Sequence, residues 1–325
     1  MRRLPSILLA AAALFTLHGT QAAPATYPNH AVRMIIPFPP GGVNDIVARI
    51  LADGLGKRWN TSVVVENKPG GSAIIGARAV AAAPADGYTL LVAPSVLSSH
   101  PALFPNAGYD LKKDLAPLSR IAIFPVLVLT DPKLNLMNGK QLLDYIRASS
   151  GPVYYGGPGA SSTPNMAAQW LKFKASGMDN LTPVPYKGDS DIITAIMSGT
   201  VPVGFVGLPS GLPHIAGGRV RATAVSTRDR AAQLPDVSTL AESGVTDYEL
   251  SGWSALMAPA GTPPEIVDTI SESVQAVLRD PQVAEKITKL GAIPTPSSPA
   301  EFKEFLDQEI TKMTQIVEAA GIKPN

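Results

Sequence analysis

Short β-branched or apolar runs alternate along this chain with stretches in which apolar residues return every three or four positions. Ile35 and Ile36 read as the end of a buried strand. Pro39 and Pro40 stop it, because neither can donate to a strand ladder. Gly41 and Gly42 follow, and then Ile46, Val47, Ile50, Leu51 and Leu55 fall on one face of a helix. The run Ser62–Glu66 (SVVVE) predicts a buried parallel strand, and a Gly-rich turn leads from it into an Ala-rich helix from about Ala73. Pro84-Ala85-Asp86-Gly87 breaks that helix ahead of the strand Thr89–Ala93 (TLLVA). Strand and helix in this alternation indicate an α/β sheet with right-handed crossovers.

Ile121–Thr130 (IAIFPVLVLT) is long for one strand and has Pro125 in its middle, as expected of a strand that leaves one sheet and enters another. A second α/β set follows. Asn138 is placed to cap a helix with Leu142, Leu143 and Ile146 inward, closed by Gly151. The strand Val153–Gly156 runs into GGPGASSTP and a helix carrying Met166, Trp170 and Leu171. A strand ending at Val184–Gly188 (VPYKG), a helix with Ile192, Ile193, Ile196 and Met197, and the strand Val201–Val206 complete the set. Ala222–Ser226 (ATAVS) is expected to be the return crossing. Thr262-Pro263-Pro264-Glu265 and Ser298-Pro299-Ala300-Glu301 both match the capping-box pattern ahead of core-facing helices.

Three of these strand-to-helix junctions, at Gly41, Gly70 and Gly159, are rich in Gly or Ser. A helix start leaves N–H groups unpaired, and its dipole favours an anion. Several such starts aimed into a crevice between two α/β domains describe an anion receptor that closes on its ligand. Composition narrows the alternatives. The 325 residues suggest about two domains, and 27 basic against 26 acidic residues leave no basic face for nucleic acid. No cysteine is present, so there is no disulfide framework, thiolate metal site or lipidated N-terminal Cys. Arg2 and Arg3 followed by the apolar Ile7–Leu17 read as a cleaved export signal over 1–23. The mature protein is then expected to be soluble and exported, with 25 basic and 26 acidic residues, a charge of −1. His18, His30, His100 and His214 are scattered, without metal-ligand spacing. Neither the hydrolase elbow, the phosphate-binding loop nor the dinucleotide fingerprint is present. Asp189 and Asp191, beside a helix start, read as caps rather than as a catalytic pair. The expectation is a protein that is not an enzyme and needs no cofactor or metal.

The segments PFPPGGVNDIVAR, VVVENKPGGSAIIGARAVAAAPADGYTLL, VPYKG, LPDVSTLAESGV and SGWSALMAPAGTPPEIV, in this order from about Tyr27 to the C-terminus, closely resemble the Bug family. Its members are TctC-like extracytoplasmic receptors of tripartite tricarboxylate transporters. The resemblance implies a two-domain, type II-like periplasmic binding protein of the α/β class, with two crossover strands and an interdomain ligand cleft. The expected division is domain I over 24–124 and 227–325 and domain II over 125–226. The implied ligand is a small carboxylate, and the implied partners are membrane permease subunits served by a periplasmic monomer. A ligand-sensing subunit of a membrane signalling system would share this fold and is the alternative.

Carried over residue by residue, the first grip is Phe38, Pro40, Gly41, Gly42 and Asp45, with Asp45 capping or orienting the loop. The second is Gly70, Gly71 and Ser72, and Ser95 corresponds to a small polar position facing the cleft. On the other domain the resemblance points to Gly159, Ser161 and Ser162 and to Lys187 and Gly188. Helix capping is an equal reading for Ser161 and Ser162, and Lys187 also reads as an exposed loop charge. Two departures stand out. Asn165 occupies a position where the family commonly has His, and Val206 and Gly207 stand where it commonly has Asp and Asn. The second wall is therefore expected to be less polar, favouring a ligand whose far end is apolar or a second carboxylate over an α-amino acid.

Overall fold

The computed structural model describes residues 27–159 and 161–324, so the expected signal segment lies outside the described residues. The first half runs β1 (Val32–Ile36), α1 (Val43–Trp59), β2 (Val63–Asn67), α2 (Ile74–Ala81), β3 (Thr89–Pro94), α3 (His100–Leu103) and β4 (Leu115–Phe124). Past Pro125 come β5 (Val126–Thr130), α4 (Gly139–Ala148), β6 (Val153–Pro158), α5 (Thr163–Lys174), β7 (Leu181–Tyr186), α6 (Asp189–Met197), β8 (Val203–Gly207), α7 (Leu208–Ala216) and β9 (Arg221–Val225). The chain ends with β10 (Gly252–Pro259), α8 (Pro264–Arg279), α9 (Pro281–Lys289), β11 (Ile293–Pro294) and α10 (Pro299–Ala319).

These strands form two mixed sheets, ordered β11-β4-β10-β3-β1-β2 and β7-β6-β8-β5-β9. Period-two alternation assigns the faces of the first. Val32, Met34 and Ile36 pack with Val47, Leu51 and Leu55 of α1 and with Ile270 and Val274 of α8, while Ile35 faces Ala77 of α2 and Phe302 of α10. The second sheet divides in the same way. Val126 and Val128 face α4 and α5, and Leu127 and Leu129 face α6. The C-terminal helix α10 serves both lobes, with Phe302 and Leu306 in a core of the first and Met313, Ile316 and Val317 in a core of the second.

Pro125 lies between β4 and β5, which belong to different sheets, so the expected crossover is present. The return differs from expectation. β9 stays in the second sheet beside β5, and the chain rejoins the first sheet only at Gly252. The connection between them first lays Leu240, Val245, Tyr248 and Leu250 into the core under β5. β2 is parallel as expected, but it is an edge strand, which leaves Val64 50% exposed. On α1, Ile46 is 37% exposed, because Ala48 and Ala52 and not Ile46 flank the buried Val47, Leu51 and Leu55.

Of the two capping boxes, only the second forms. The Ser298 hydroxyl receives the Glu301 N–H, and the Glu301 carboxylate receives the Ser298 N–H. At the first, α8 begins at Pro264 with Pro263 at the cap, and the Thr262 hydroxyl donates to the Pro259 carbonyl instead (2.7 Å). Ser298→Ala is expected to cost about 1 kcal/mol. Urea unfolding should show a lower midpoint at unchanged slope, and an unmoved midpoint would mean that packing alone holds the helix start.

Candidate functional site

β1, β2 and β3 are parallel, so the loops that follow them emerge together at one edge of the first sheet. β4 runs in the same direction, because both β3 and β4 pair antiparallel with β10. In the second sheet β6, β7 and β8 are parallel, and Gly207 at the end of β8 pairs with Val126 at the start of β5. The carboxyl edges of the two parallel sets therefore meet across Pro125, whose carbonyl accepts the Leu208 N–H (2.9 Å). Ligands of open α/β sheets bind at such carboxyl edges. Two contacts join the edges directly. The Ser95 and Thr163 hydroxyls are 3.1 Å apart, and the Gly291 turn lies so near α7 that a Cβ there would be 3.2 Å from Leu208 and 3.3 Å from Pro209.

At the first turn the Asp45 carboxylate is the brace. It accepts the Gly41 N–H (3.0 Å), the Asn67 side-chain amide (2.8 Å) and two guanidinium N–H groups of Arg49 (3.0 Å each). The Asn67 amide also donates to the Phe38 carbonyl (3.0 Å), tying β2 to the turn. Burial alone would raise this carboxyl, but the bonds from Arg49, Gly41 and Asn67 outweigh it and bring it to about 2. Asp45 thus ties the Gly41 turn to Asn67 and Arg49. The Gly41 N–H is consumed in doing so, which removes it from the donors open to a ligand. No side chain caps α1 at Gly42, and the N–H groups of Gly42, Val43 and Asn44 have no partner among the described residues. Pro40, Gly41 and Gly42 are exposed, while Phe38 is partly buried against the α1 side of the core.

The second turn has left-handed backbone through Gly70, Gly71, Ser72 and Ala73, with φ of +128°, +55°, +52° and +77°. The Ile74 N–H closes it on the Gly71 carbonyl (3.0 Å), and α2 also starts without a side-chain cap. Two non-glycine residues in this region cost roughly 1–2 kcal/mol each. His100 opposes that strain. Its Nε2 lies 2.9 Å from the Ser72 carbonyl and its Nδ1 2.7 Å from the Tyr109 hydroxyl. A carbonyl only accepts, so Nε2–H donates to Ser72 and Nδ1 accepts from Tyr109.

Burial pushes the His100 imidazole down to about 4, against the weaker opposing pull of the Ser72 carbonyl. Folding therefore favours the neutral ring. The stability this contributes is complete above the ordinary value near 6.5 and is lost as pH falls toward 4, on the order of 3 kcal/mol. Urea unfolding between pH 7 and pH 4 should show that loss in the native chain and a smaller one in His100→Gln. An equal loss in the variant would place the titration elsewhere.

The second-lobe turns are built differently. The Ser162 hydroxyl caps α5 by receiving the Asn165 N–H (3.3 Å) and donates to the Pro158 carbonyl (2.6 Å), so it is occupied within its own turn. Ser161 lines a small enclosed space with Ser95, Ser99, Thr163 and Ser251 at the junction of the lobes. Asn165 accepts from the Tyr155 hydroxyl (2.9 Å) and is buried. Gly159 and Lys187 are exposed at their turns and Gly188 is partly so. Val206 is fully buried in the core with Leu127 and Ile192, so its side chain does not face the opposed edge, and only Gly207 remains there. Asp189 does not cap its own helix, since Gly188 holds the α6 cap position without a side-chain bond. Its carboxylate instead receives the Gly207 N–H (2.9 Å).

The structure thus brings Gly42, the Gly70–Ser72 turn and Ser95 to one edge and Ser161, Gly188 and Gly207 to the facing one. Sequence reading missed Asn67, His100, Thr163 and the outward role of Asp189. Asn67 had a local signal, since it directly precedes the Lys-Pro-Gly-Gly turn. His100 had none, because its partners lie 28 and 9 residues away. Among the described residues no grouping of His, Asp and Glu could hold a metal ion.

Comparison with known proteins shows the family and the fold of the chain. The model of the tripartite tricarboxylate transporter family receptor matches residues 47–322. Protein BugT of Bordetella pertussis is 33% identical over 321 residues, covering 97% of this chain and 98% of the relative. An R. palustris protein solved with adipate is 31% identical with a TM-score of 0.77, covering 92% of this chain and 100% of that one. Periplasmic binding protein BugD is 29% identical, with a TM-score of 0.74 over 92% of this chain and 100% of its own. MatC from Rhodopseudomonas palustris, solved with bound malate, is 26% identical, with a TM-score of 0.72 over 90% of this chain and 100% of its own.

Proposed function

Because the chain belongs to the family of tripartite tricarboxylate transporter receptors, as its sequence resemblance to Bug proteins implied, we propose that it captures a small carboxylate between its two lobes and delivers it to membrane permease subunits. It acts as a non-catalytic, monomeric receptor in the periplasm. No helix among the described residues is long and apolar enough to cross a membrane. The observation that carries the reading is the pair of uncapped helix starts, α1 and α2, at the edge of the first lobe that faces the second. The donors assigned to the carboxylate are the N–H groups of Gly42, Val43 and Asn44 and the turn at Gly70, Gly71 and Ser72. Ser95 and Ser161 line the junction. In the second lobe the start of α5 is already satisfied by the Ser162 hydroxyl, and the Gly207 N–H ahead of α7 is given to Asp189.

Bonds from backbone N–H groups to an anion contribute about 1.5–3 kcal/mol each, and a helix end adds up to about 2. Three or four such bonds, less the cost of ordering the ligand, are enough for micromolar affinity, about −8 kcal/mol. Adipate and malate in the two relatives are ligands of this class. A thermal-shift screen of di- and tricarboxylates, aromatic acids and acidic amino acids tests the reading. A ligand at 100 times its Kd is expected to add about 2.7 kcal/mol of stability, and a flat response across all carboxylates would overturn it.

A further inference from the structure

The second-lobe wall is not without polar chemistry. Asp189 opens α6, and its carboxylate crosses the ends of the parallel strands to receive the N–H of Gly207 at the end of β8 (2.9 Å). The Ser210 side chain of α7 lies close enough to it to favour its charged form. Asp189, Gly207 and Ser210 are all partly exposed, and all lie at the carboxyl edge of β8, which faces the first lobe across Pro125. Gly207 is backbone only and Val206 is buried in the core, so the Asp189 carboxylate is the charged group at this position. It also fills the space above Gly207, since a Cβ built on that glycine would be 3.2 Å from Asp189 Oδ2. Burial raises this carboxyl above the ordinary carboxylate range, and the Gly207 bond and the nearby Ser210 side chain only partly offset the rise.

We propose that Asp189 is a specificity-determining residue, selecting carboxylates whose far end carries a hydrogen-bond donor over those ending in a second carboxylate. The inference rests on the first lobe holding the ligand's carboxylate, as proposed above. With that end fixed on α1 and α2, the opposite end of a short extended ligand is directed at the second lobe. A ligand carboxylate arriving beside Asp189 meets like charge, and the Gly207 N–H is already given to Asp189. An ammonium or hydroxyl finds an acceptor. This reverses the preference that Val206 and Gly207 alone imply.

Calorimetry on the full mature chain with three length-matched pairs tests it: succinate with 3-aminopropanoate, glutarate with 4-aminobutyrate, and adipate with 5-aminopentanoate. Within each pair only the far group differs. In the native chain the amino member of the tightest-binding pair is expected to bind at least tenfold tighter than its diacid. In Asp189→Asn, which keeps an acceptor for Gly207 but loses the charge, that ratio should fall to within threefold or invert. Tighter binding of the diacid by the native chain overturns the proposal without any variant, and so does a ratio that persists in Asp189→Asn. If no probe of either kind binds, the proposal also falls. A positive response elsewhere in the broader carboxylate screen would then leave the receptor reading standing, and a flat screen would remove both.

Discussion

Replacing Asp45 by alanine is expected to weaken carboxylate binding about a hundredfold while lowering stability by only about 2 kcal/mol. The two effects have different origins. Asp45 is almost wholly buried and gathers Gly41, Arg49 and Asn67 around one carboxylate. When it is removed, Arg49 rehydrates, since its side chain is already 47% exposed, and Asn67 keeps the Phe38 carbonyl. The cost to the fold is then close to the contribution of the charge itself. Because the folded carboxyl lies at about 2, below its ordinary 3.8, that contribution is present above pH 4 and lost as pH falls through 2. A lowering of this size corresponds to roughly 2 kcal/mol.

The binding loss is larger because the turn loses its anchor. Ordering two backbone residues again on the ligand costs roughly 2–3 kcal/mol, a factor of about a hundred in Kd. Asp45→Asn keeps one acceptor for Gly41 and should fall between the native chain and alanine. Calorimetry with a carboxylate found in the screen, together with urea unfolding, separates the two quantities. A parallel loss of both in equal measure would make Asp45 a stability residue and not a brace for the site.

How far the site could be read from sequence depended on how far apart its partners lie in the chain. The β1–turn–α1 unit was legible because two prolines, two glycines and a helical stripe follow one another within a few positions. Pro125 was legible as a crossover because no sheet interior tolerates proline in a run of that length. The Ser298 box was legible as a local pattern, but the same pattern failed at Thr262, where consecutive prolines move the start of α8 and the hydroxyl finds a nearer carbonyl. The face of α1 was misread at Ile46 because neighbouring alanines, weak in any hydrophobic stripe, are the residues turned inward.

The supports of the site were not legible. His100 has no motif, and its role exists only because α3 brings it under a left-handed turn formed by residues far earlier in the chain. Asp189 looked like the cap of its own helix, and only the placement of β8 beside β6 shows that it reaches Gly207 instead. Resemblance to a family pointed to the turns proposed to hold the ligand. The residues that hold the turns depended on long-range packing.

The central claim, that the uncapped start of α1 holds a carboxylate, is tested most directly by Gly42→Val. Gly42 has ordinary extended backbone (φ −75°, ψ 163°), and a Cβ placed on it meets no atom within 4 Å, so valine fits the fold without strain. Its branched side chain would nevertheless cover the N–H groups of Gly42, Val43 and Asn44. Losing two or three charge-assisted bonds of about 1.5–3 kcal/mol each removes most of a micromolar affinity. Calorimetric titration of the folded variant with a carboxylate bound by the native chain should therefore show no measurable heat of binding, at an unchanged circular dichroism spectrum and a thermal midpoint within a few degrees. Binding within threefold of the native Kd would contradict the claim.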